Sequence, residues 1–543
     1  MKAEQKIIRI ETLIFVGITA FLLLMVLWAQ AQRPGRRDLG PSTLGVEKGI
    51  AHYETDNWEI DLLHSSQTVA GLKAKGQPGL DYTPGNRLAE RDKNRFYHLG
   101  DLNLGIREAE SGEWTFYSTA ADRKDVIVLD PDDADVFAVA DLSPSLPADI
   151  PVSLIRKWKK EGDQLLMQFE LINQTDRVLE IGALGMPLVF NNNFNRKTLD
   201  EAHAGHAFFD PYIGKDAGYL QVVQLNGKSK VLLVVPDGET PFENYRPLSD
   251  DPTPIGYTFE GLHEWMVHSK AYAETEWKGV EQWNEPTSAF LQPGQSKMYG
   301  LRFLLADSLR DVENTLIRAR RPVAVGIPGY VLPMDVQAKL FLRYSHKIKS
   351  WNVEPDGALL LSEGEETPGG WFSYEVQGKK WGRARLTVGY GDGTSQTIHY
   401  KVIEPEKEVI ESYGHFLTTE QWYDDTTDIF GRAPSVITYD YEKKEKVLQD
   451  ARAWIAGLSD EGGAGSWLGA IMKQVVLPDK EEVAKLEDFV NQTLWGGIQY
   501  AEGEKKYAVR KSLFYYEPDS MPPGTYSDEI RWGRYGGFPS WSK

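Results

Sequence analysis

At 543 residues the chain is longer than one hydrophobic core serves, so several domains are expected. A net charge of −19 argues against nucleic acid as a partner, because phosphate binding needs a basic footprint. With no cysteine, disulfides, thiolate catalysis and cysteine-ligated metals are excluded, and neutral polymers or small molecules are the easier partners.

The N-terminus reads as a targeting segment over residues 1–31. Lys2, Lys6 and Arg9 form a basic region, an uncharged apolar run follows from Leu13 to Trp28, and Ala29-Gln30-Ala31 supplies a small-x-small cleavage site. The run also approaches the length of a membrane span, and Arg33, Arg36 and Arg37 behind it keep an anchor reading open. The expected setting is therefore periplasmic or extracellular, either released or held to a membrane and facing out of the cytoplasm. Residues 32–45, rich in Pro, Gly and Arg, read as a linker.

From 46 to about 325 the pattern is of short strands separated by turns. "DQLLMQFELINQTDRVLEIGALGMPLVF" holds two strands around Gln174-Thr175-Asp176, and "YLQVVQLNGKSKVLLVVPDG" holds two more around Asn226-Gly227, a strong hairpin pair. "FLQPGQSKMYGLRFLLA" adds a further strand after a Pro-Gly turn. A large antiparallel sandwich follows from this pattern. "SLRDVENTLIRAR" then switches to helical spacing, with Val312, Leu316 and Ile317 on one face. Residues 328–403 return to strands and suggest a small Ig-like sandwich, with "GYGDG" as a hairpin turn and not a phosphate loop.

Beyond 404 the apolar spacing is helical in "KEKVLQDARAWIAGLS", "WLGAIMKQVVL" and "KEEVAKLEDFVNQTLW". Pro478 and Asp479 start the last of these, with Glu481 and Glu482 in its first turn.

This order of parts resembles a family of exported, largely uncharacterised bacterial and fungal glycoside hydrolases. The resemblance rests on "LQPGQSKMYGLRFLLADSLRDVENTL", "HFLTTEQWYDDTTDIFGRAPSVITYD" and "GLSDEGGAGSWLGAIMKQVVLPDKEEVAKLEDFV". It implies an N-terminal β-supersandwich over 46–325, the small sandwich over 328–403, and the start of an (α/α)6-toroid-like helical domain over 404–543. A full ring of helix pairs needs more chain than 404–543 supplies, so an incomplete ring is expected.

The implied activity is hydrolysis of an oligo- or polysaccharide by paired carboxylates, one acid and one nucleophile or base. Asp528 with Glu529 and Asp460 with Glu461 are the first candidates, each pair near a tryptophan, Trp532 or Trp467, able to stack on a sugar. Asp425 beside Trp422 offers a further acid and ring, and Arg531 either binds an acidic sugar or pairs with its acidic neighbours. In the sandwich, His206 belongs to "EAHAGHAFFDPYIG", whose spacing falls short of a metal motif, and no metal or cofactor is expected. The long loop 261–289 contributes Trp283, Asn284 and Glu285 as binding residues. Two other functions stay open. One is a polysaccharide lyase using Tyr526, His206 and Arg531; the other is a glycan-binding protein without catalysis.

Overall fold

The computed structural model describes residues 41–77, 79–109, 111–254, 258, 261–428, 432–441, 443–448, 465–497 and 499–508. Residues 1–31, read as a targeting segment, and most of 32–45, read as a linker, lie outside these residues. Among the described residues no helix is long and apolar enough to cross a membrane. The protein is predominantly β-sheet, arranged as sandwiches.

The largest layer is an eight-stranded sheet. Its order is Ala207–Tyr212, Tyr219–Gln224, Val231–Asp237, Ser296–Ala306, Gln164–Asn173, Val152–Glu161, Val136–Asp141 and Ile127–Leu129. A six-stranded sheet faces it, in the order Asn244–Pro247, His263–His268, Leu179–Leu188, Asn103–Glu108 and Ser111–Ser118, with Ala289–Leu291 also on Leu179–Leu188. One apolar cluster unites their inner faces and buries Trp58, Trp158 and Trp265 completely. Strand alternation selects its members: Val152, Leu154 and Trp158 point inward from one strand while Ser153, Ile155 and Lys157 are only half-buried. Arg156 is the exception, an inward guanidinium whose Nη1 donates to the Gly100 carbonyl at 2.6 Å and Nη2 to the Ser66 carbonyl at 2.7 Å. Burial lowers its pKa to about 10.

The "DQLLMQFELINQTDRVLEIGALGMPLVF" segment does contain two strands, but they lie in different sheets. The turn between them is a crossover and not a hairpin. Ala289–Leu291 and Ser296–Ala306 make a second crossover. Asn173 joins the two: its Nδ2 donates to Arg177 O at 2.7 Å and Leu291 O at 2.9 Å, while its Oδ1 takes Thr175 N and Oγ1, both at 2.8 Å. At 1% exposure this asparagine fastens the sheets together. By contrast, Tyr219–Gln224 and Val231–Asp237 form the expected antiparallel pair around Gly227, whose φ of 65° suits glycine. The helix Val312–Arg318 covers the outer face of the large sheet, and Val312, Leu316 and Ile317 pack there on Leu233, Val235 and Leu304.

Residues 323–403 form two further sheets. One runs Val323–Ile327, Gln337–Arg343, Trp371–Gly378, Leu359–Leu361; the other runs Val331–Pro333, Ser395–Ile403, Gly382–Tyr390, Ile348–Glu354. The GYGDG turn closes a hairpin, with Tyr390 N donating to Thr394 O and Gly393 N to Tyr390 O.

The chain divides into two compact units that do not follow the boundaries expected from sequence. The first runs to Tyr330 and includes Ala338–Val376 and Arg383–Tyr400; the second comprises Val331–Gln337, Gln377–Gly382 and the chain from Lys401. In the second unit the helices Glu406–Thr418, Gly465–Val476 and Lys480–Asp488 pack on one another. Asp479 caps the last, accepting from Glu481 N at 2.9 Å and Glu482 N at 3.0 Å. Between the first and second helices the chain forms two small hairpins, at Trp422–Tyr423 with Ser435–Val436 and Tyr439–Asp440 with Glu445–Lys446. Residues 444–446 thus belong to a hairpin, where helical spacing had suggested otherwise. Among the described residues these three helices do not make a ring.

Candidate functional site

A pocket of about 430 Å³ opens within the first unit, between the loop 281–286 and the strands Gly382–Tyr390 and Ser395–Ile403. Asn284 fixes the loop from beneath. Fully buried, it donates through Nδ2 to Glu243 O at 2.8 Å and Ile213 O at 3.3 Å, leaving its Oδ1 without a partner. Trp283, 41% exposed, thereby stands at the pocket wall.

The opposite wall comes from strand geometry. Arg383 and Arg385 are two residues apart on one strand and so share a face, opposite to Ala384 and Leu386 in the core. Arg385 stands across from Glu354 in register, and its Nη2 lies 2.7 Å from Glu354 Oε2. A second donor, Nη1, reaches Trp283 O at 3.2 Å and ties strand to loop. Arg383 is freer: its guanidinium lies 4.8 Å from the Trp283 ring centroid, and Glu281 is 3.9 Å away, beyond a hydrogen bond.

His399 occupies the neighbouring strand. Its ring meets Trp283 edge-on at 5.3 Å, and its Nε2 lies 3.1 Å from Ile213 O. A carbonyl only accepts, so Nε2 carries the hydrogen and Nδ1 carries the lone pair. Burial lowers the His399 pKa to about 4; the Ile213 carbonyl opposes this, and Arg385 and Arg383 add to it. The imidazole is therefore neutral at pH 7. Tyr400, the next residue, alternates to the other face and is buried against Tyr330. The pocket thus assembles a half-exposed tryptophan, two guanidiniums, a neutral imidazole with an open lone pair, and the carboxylates Glu281, Glu285 and Glu354.

The sequence-predicted residues do not converge here, Trp283 and its neighbours apart. His206 lines a different cavity. Trp422 is 7% exposed in the second unit, with Lys485 Nζ 5.9 Å from its ring centroid; its ring packs inside and offers no open face for a sugar. Asp425 is an exposed turn residue whose Oδ1 accepts from Thr427 N at 2.9 Å and Thr427 Oγ1 at 2.6 Å, which lowers its pKa. The backbone of Trp467 lies in the helix Gly465–Val476, while its side chain is outside the described residues. Asp460, Glu461, Asp528, Glu529, Arg531, Trp532 and Tyr526 also fall outside them. Sequence reasoning missed Arg383, Arg385 and His399. Their signal was faint: polar residues on alternate strand positions read as an ordinary solvent face.

The fold is shared with a polysaccharide lyase of known structure at a TM-score of 0.64 and 14% identity, covering 84% of this chain and 63% of that one. The chain thus spans less than two thirds of that lyase's length. Partial likenesses include a galactose mutarotase-like protein from Lactobacillus casei (TM-score 0.31, 10% identity, 47% of this chain and 100% of that one). Another is the GH36 α-galactosidase AgaB from Geobacillus stearothermophilus (TM-score 0.27, 8% identity, 50% and 41%). No curated protein matches the sequence. Residues 61–543 match the model of a family of unknown function, DUF5695.

Proposed function

The chain belongs to the DUF5695 family, and from that premise we propose that it is a carbohydrate-active protein whose pocket takes an acidic glycan. The carrying observation is the His399 imidazole, neutral and with Nδ1 open, set beside Arg383 and Arg385 at the wall formed by Trp283. The fold held in common with a polysaccharide lyase supports the same reading by analogy.

The reaction best suited to these groups is β-elimination at a uronate. Arg383 holds the carboxylate and stabilises the charge that spreads onto it when the adjacent carbon loses its proton. His399 Nδ1 takes that proton from C5, the electron pair becomes the C4–C5 double bond, and the C4–O glycosidic bond breaks. The departing oxygen gains a proton from water in the open pocket. A bound carboxylate offsets the two guanidiniums and so raises the basicity of His399. Trp283 presents an apolar edge to the sugar ring.

Carboxylate-driven hydrolysis, with Asp460, Glu461, Asp528 and Glu529 as acids, is the reading that the family resemblance favours. One assay separates the two. Elimination yields an unsaturated uronate that absorbs in the near ultraviolet, whereas hydrolysis yields new reducing ends without that absorbance. The full chain, presented with a panel of uronate-containing polysaccharides, should generate absorbance on at least one. His399→Ala should reduce the rate by about 10²-fold or more, the usual range for a lost general base. Reducing ends without absorbance, or an unchanged rate in His399→Ala, would discard the lyase reading.

A further inference from the structure

A second cavity, of about 1170 Å³, shares no residue with the first. Its walls are the strand Val69–Ala74, the turn 79–88, Asn191 and the helix end Ala204–His206. Backbone bonds lock these pieces together: Asn191 N donates to Tyr82 O at 2.7 Å, and Ala207 N to Asn191 O at 2.9 Å. Asn191 Nδ2 donates to Gly205 O at 3.2 Å, and Asp81 Oδ1 receives Leu72 N, Thr83 N and Thr83 Oγ1 at 2.9–3.0 Å.

After these bonds several acceptors remain unmet. Asn191 is 4% exposed and its Oδ1 is buried without a partner. His206 is 2% exposed and neither ring nitrogen has a partner in hydrogen-bond geometry, although the Glu201 and Asn193 backbone lies near enough to oppose the effect of burial on its pKa. Burial dominates and holds the ring neutral. The Oδ2 atoms of Asp61 and Asp81 both lie within 3.2 Å of the point where a Cβ on Gly71 would stand, an approach that only glycine permits. Asp61 Oδ1 is taken by His52 at 2.6 Å; its Oδ2 is not so engaged. Asn191 Oδ1 and the two His206 nitrogens are the buried atoms left unmatched, which is unfavourable, while the Asp61 and Asp81 carboxylates are only half-buried; a ligand that supplies donors to all of them is selected.

We propose that this cavity is a second carbohydrate site, which takes a neutral sugar through its hydroxyl groups. Hydroxyls donate to Asp61, Asp81 and Asn191, and a neutral imidazole both accepts from one hydroxyl and donates to another. The apolar wall of Ala70, Ala74, Leu80 and Leu88 fits the C–H face of a pyranose. An anionic sugar is disfavoured, because among the described residues Glu59, Asp61, Asp81 and Glu201 outnumber Lys73 and Lys197 and no arginine lines the cavity. The inference stands on residues separate from the first pocket, so either can fail without the other.

The test is ligand-observed NMR and titration calorimetry on the full chain. The probes are methyl glucoside, methyl galactoside and methyl mannoside, with glucuronate and glucosamine for comparison. Saturable binding of at least one methyl hexoside is expected, and His206→Leu should weaken it by about tenfold or more. Asp61→Asn, at a half-exposed position that leaves the core intact, should weaken the same binding with an unchanged melting temperature. The proposal falls if no hexoside saturates the wild type, if both variants bind as the wild type does, or if glucosamine outcompetes every neutral sugar, which would mark an ammonium site instead.

Discussion

Glu264 is fully buried, with Arg246 Nη1 at 2.9 Å and Asn103 Nδ2 at 2.6 Å from its two oxygens. Burial pushes the Glu264 pKa up, and Arg246 and Asn103 pull it back. Arg246 in turn lies 4.3 Å from the Tyr272 ring centroid. Gly185 makes room for this pair: a Cβ there would stand 2.2 Å from Glu264 Oε2. Nearby, Glu180 is shared by Arg107, Lys270 and Ser288, each at 2.7 Å. A buried pair adds little net stability, but removing one member strands the other. Arg246→Met should therefore destabilise the protein by about 3–5 kcal/mol in urea titration, whereas an Arg246→Met, Glu264→Gln double variant should recover part of that loss. An Arg246→Met variant with wild-type stability would show that Glu264 is already protonated in the native state.

The helices of the second unit show how one charge pair fixes three elements. Lys473 Nζ and Gln474 Nε2 reach Glu482 Oε2 at 2.8 Å and 2.7 Å. Both Lys473 and Glu482 are 6% exposed. Gly414 on the helix Glu406–Thr418 lets the pair pass, since a Cβ there would lie 3.0 Å from Glu482 Oε2 and 3.1 Å from Lys473 Cδ. Lys473→Met alone should cost about 3–5 kcal/mol, measured as loss of helical ellipticity at lower denaturant. Lys473→Met combined with Glu482→Leu should restore the wild-type midpoint or exceed it, because an apolar pair leaves no charge to solvate. Failure of the double variant to recover would mean that the clamp specifies helix register.

For the whole molecule, the buried histidines set the response to acid. Burial lowers the His268 pKa to about 3, with Lys297 adding to it, while the ring is held between Thr287 Oγ1 at 2.8 Å and Tyr299 OH at 3.0 Å. His399 at about 4, and His98 and His263, also lowered, act in the same sense. Between the folded pKa and the ordinary value near 6.5, the unfolded chain binds protons that the folded chain refuses. Stability from these groups is thus complete above about pH 6.5 and is lost as pH falls toward 3, by up to about 1.4 kcal/mol per pH unit for a fully buried group such as His268. Glu243, Glu264, Asp81 and Asp216 oppose them, since burial raises each pKa and folding then gains from protonation as pH falls. Urea midpoints at pH 7, 6 and 5 should decline, and His268→Gln should flatten the slope. An acid-independent midpoint would refute this account.

What the sequence determined by itself is what depends on neighbours along the chain. The hairpin at Asn226-Gly227, the apolar face Val312–Leu316–Ile317 and the Asp479 cap follow from turn chemistry, side-chain period and orphan amides, and all three are present in the structure. The tertiary structure alone decided which strand enters which sheet, because Leu179–Leu188 has the same alternation whether it pairs with its predecessor or crosses to the opposite layer. It alone brought Trp283 to Arg383, Arg385 and His399, which lie about 100 residues further along the chain. A strand pattern states that a side chain faces outward; what stands in front of that face depends on packing between layers, which leaves no periodic mark in the sequence.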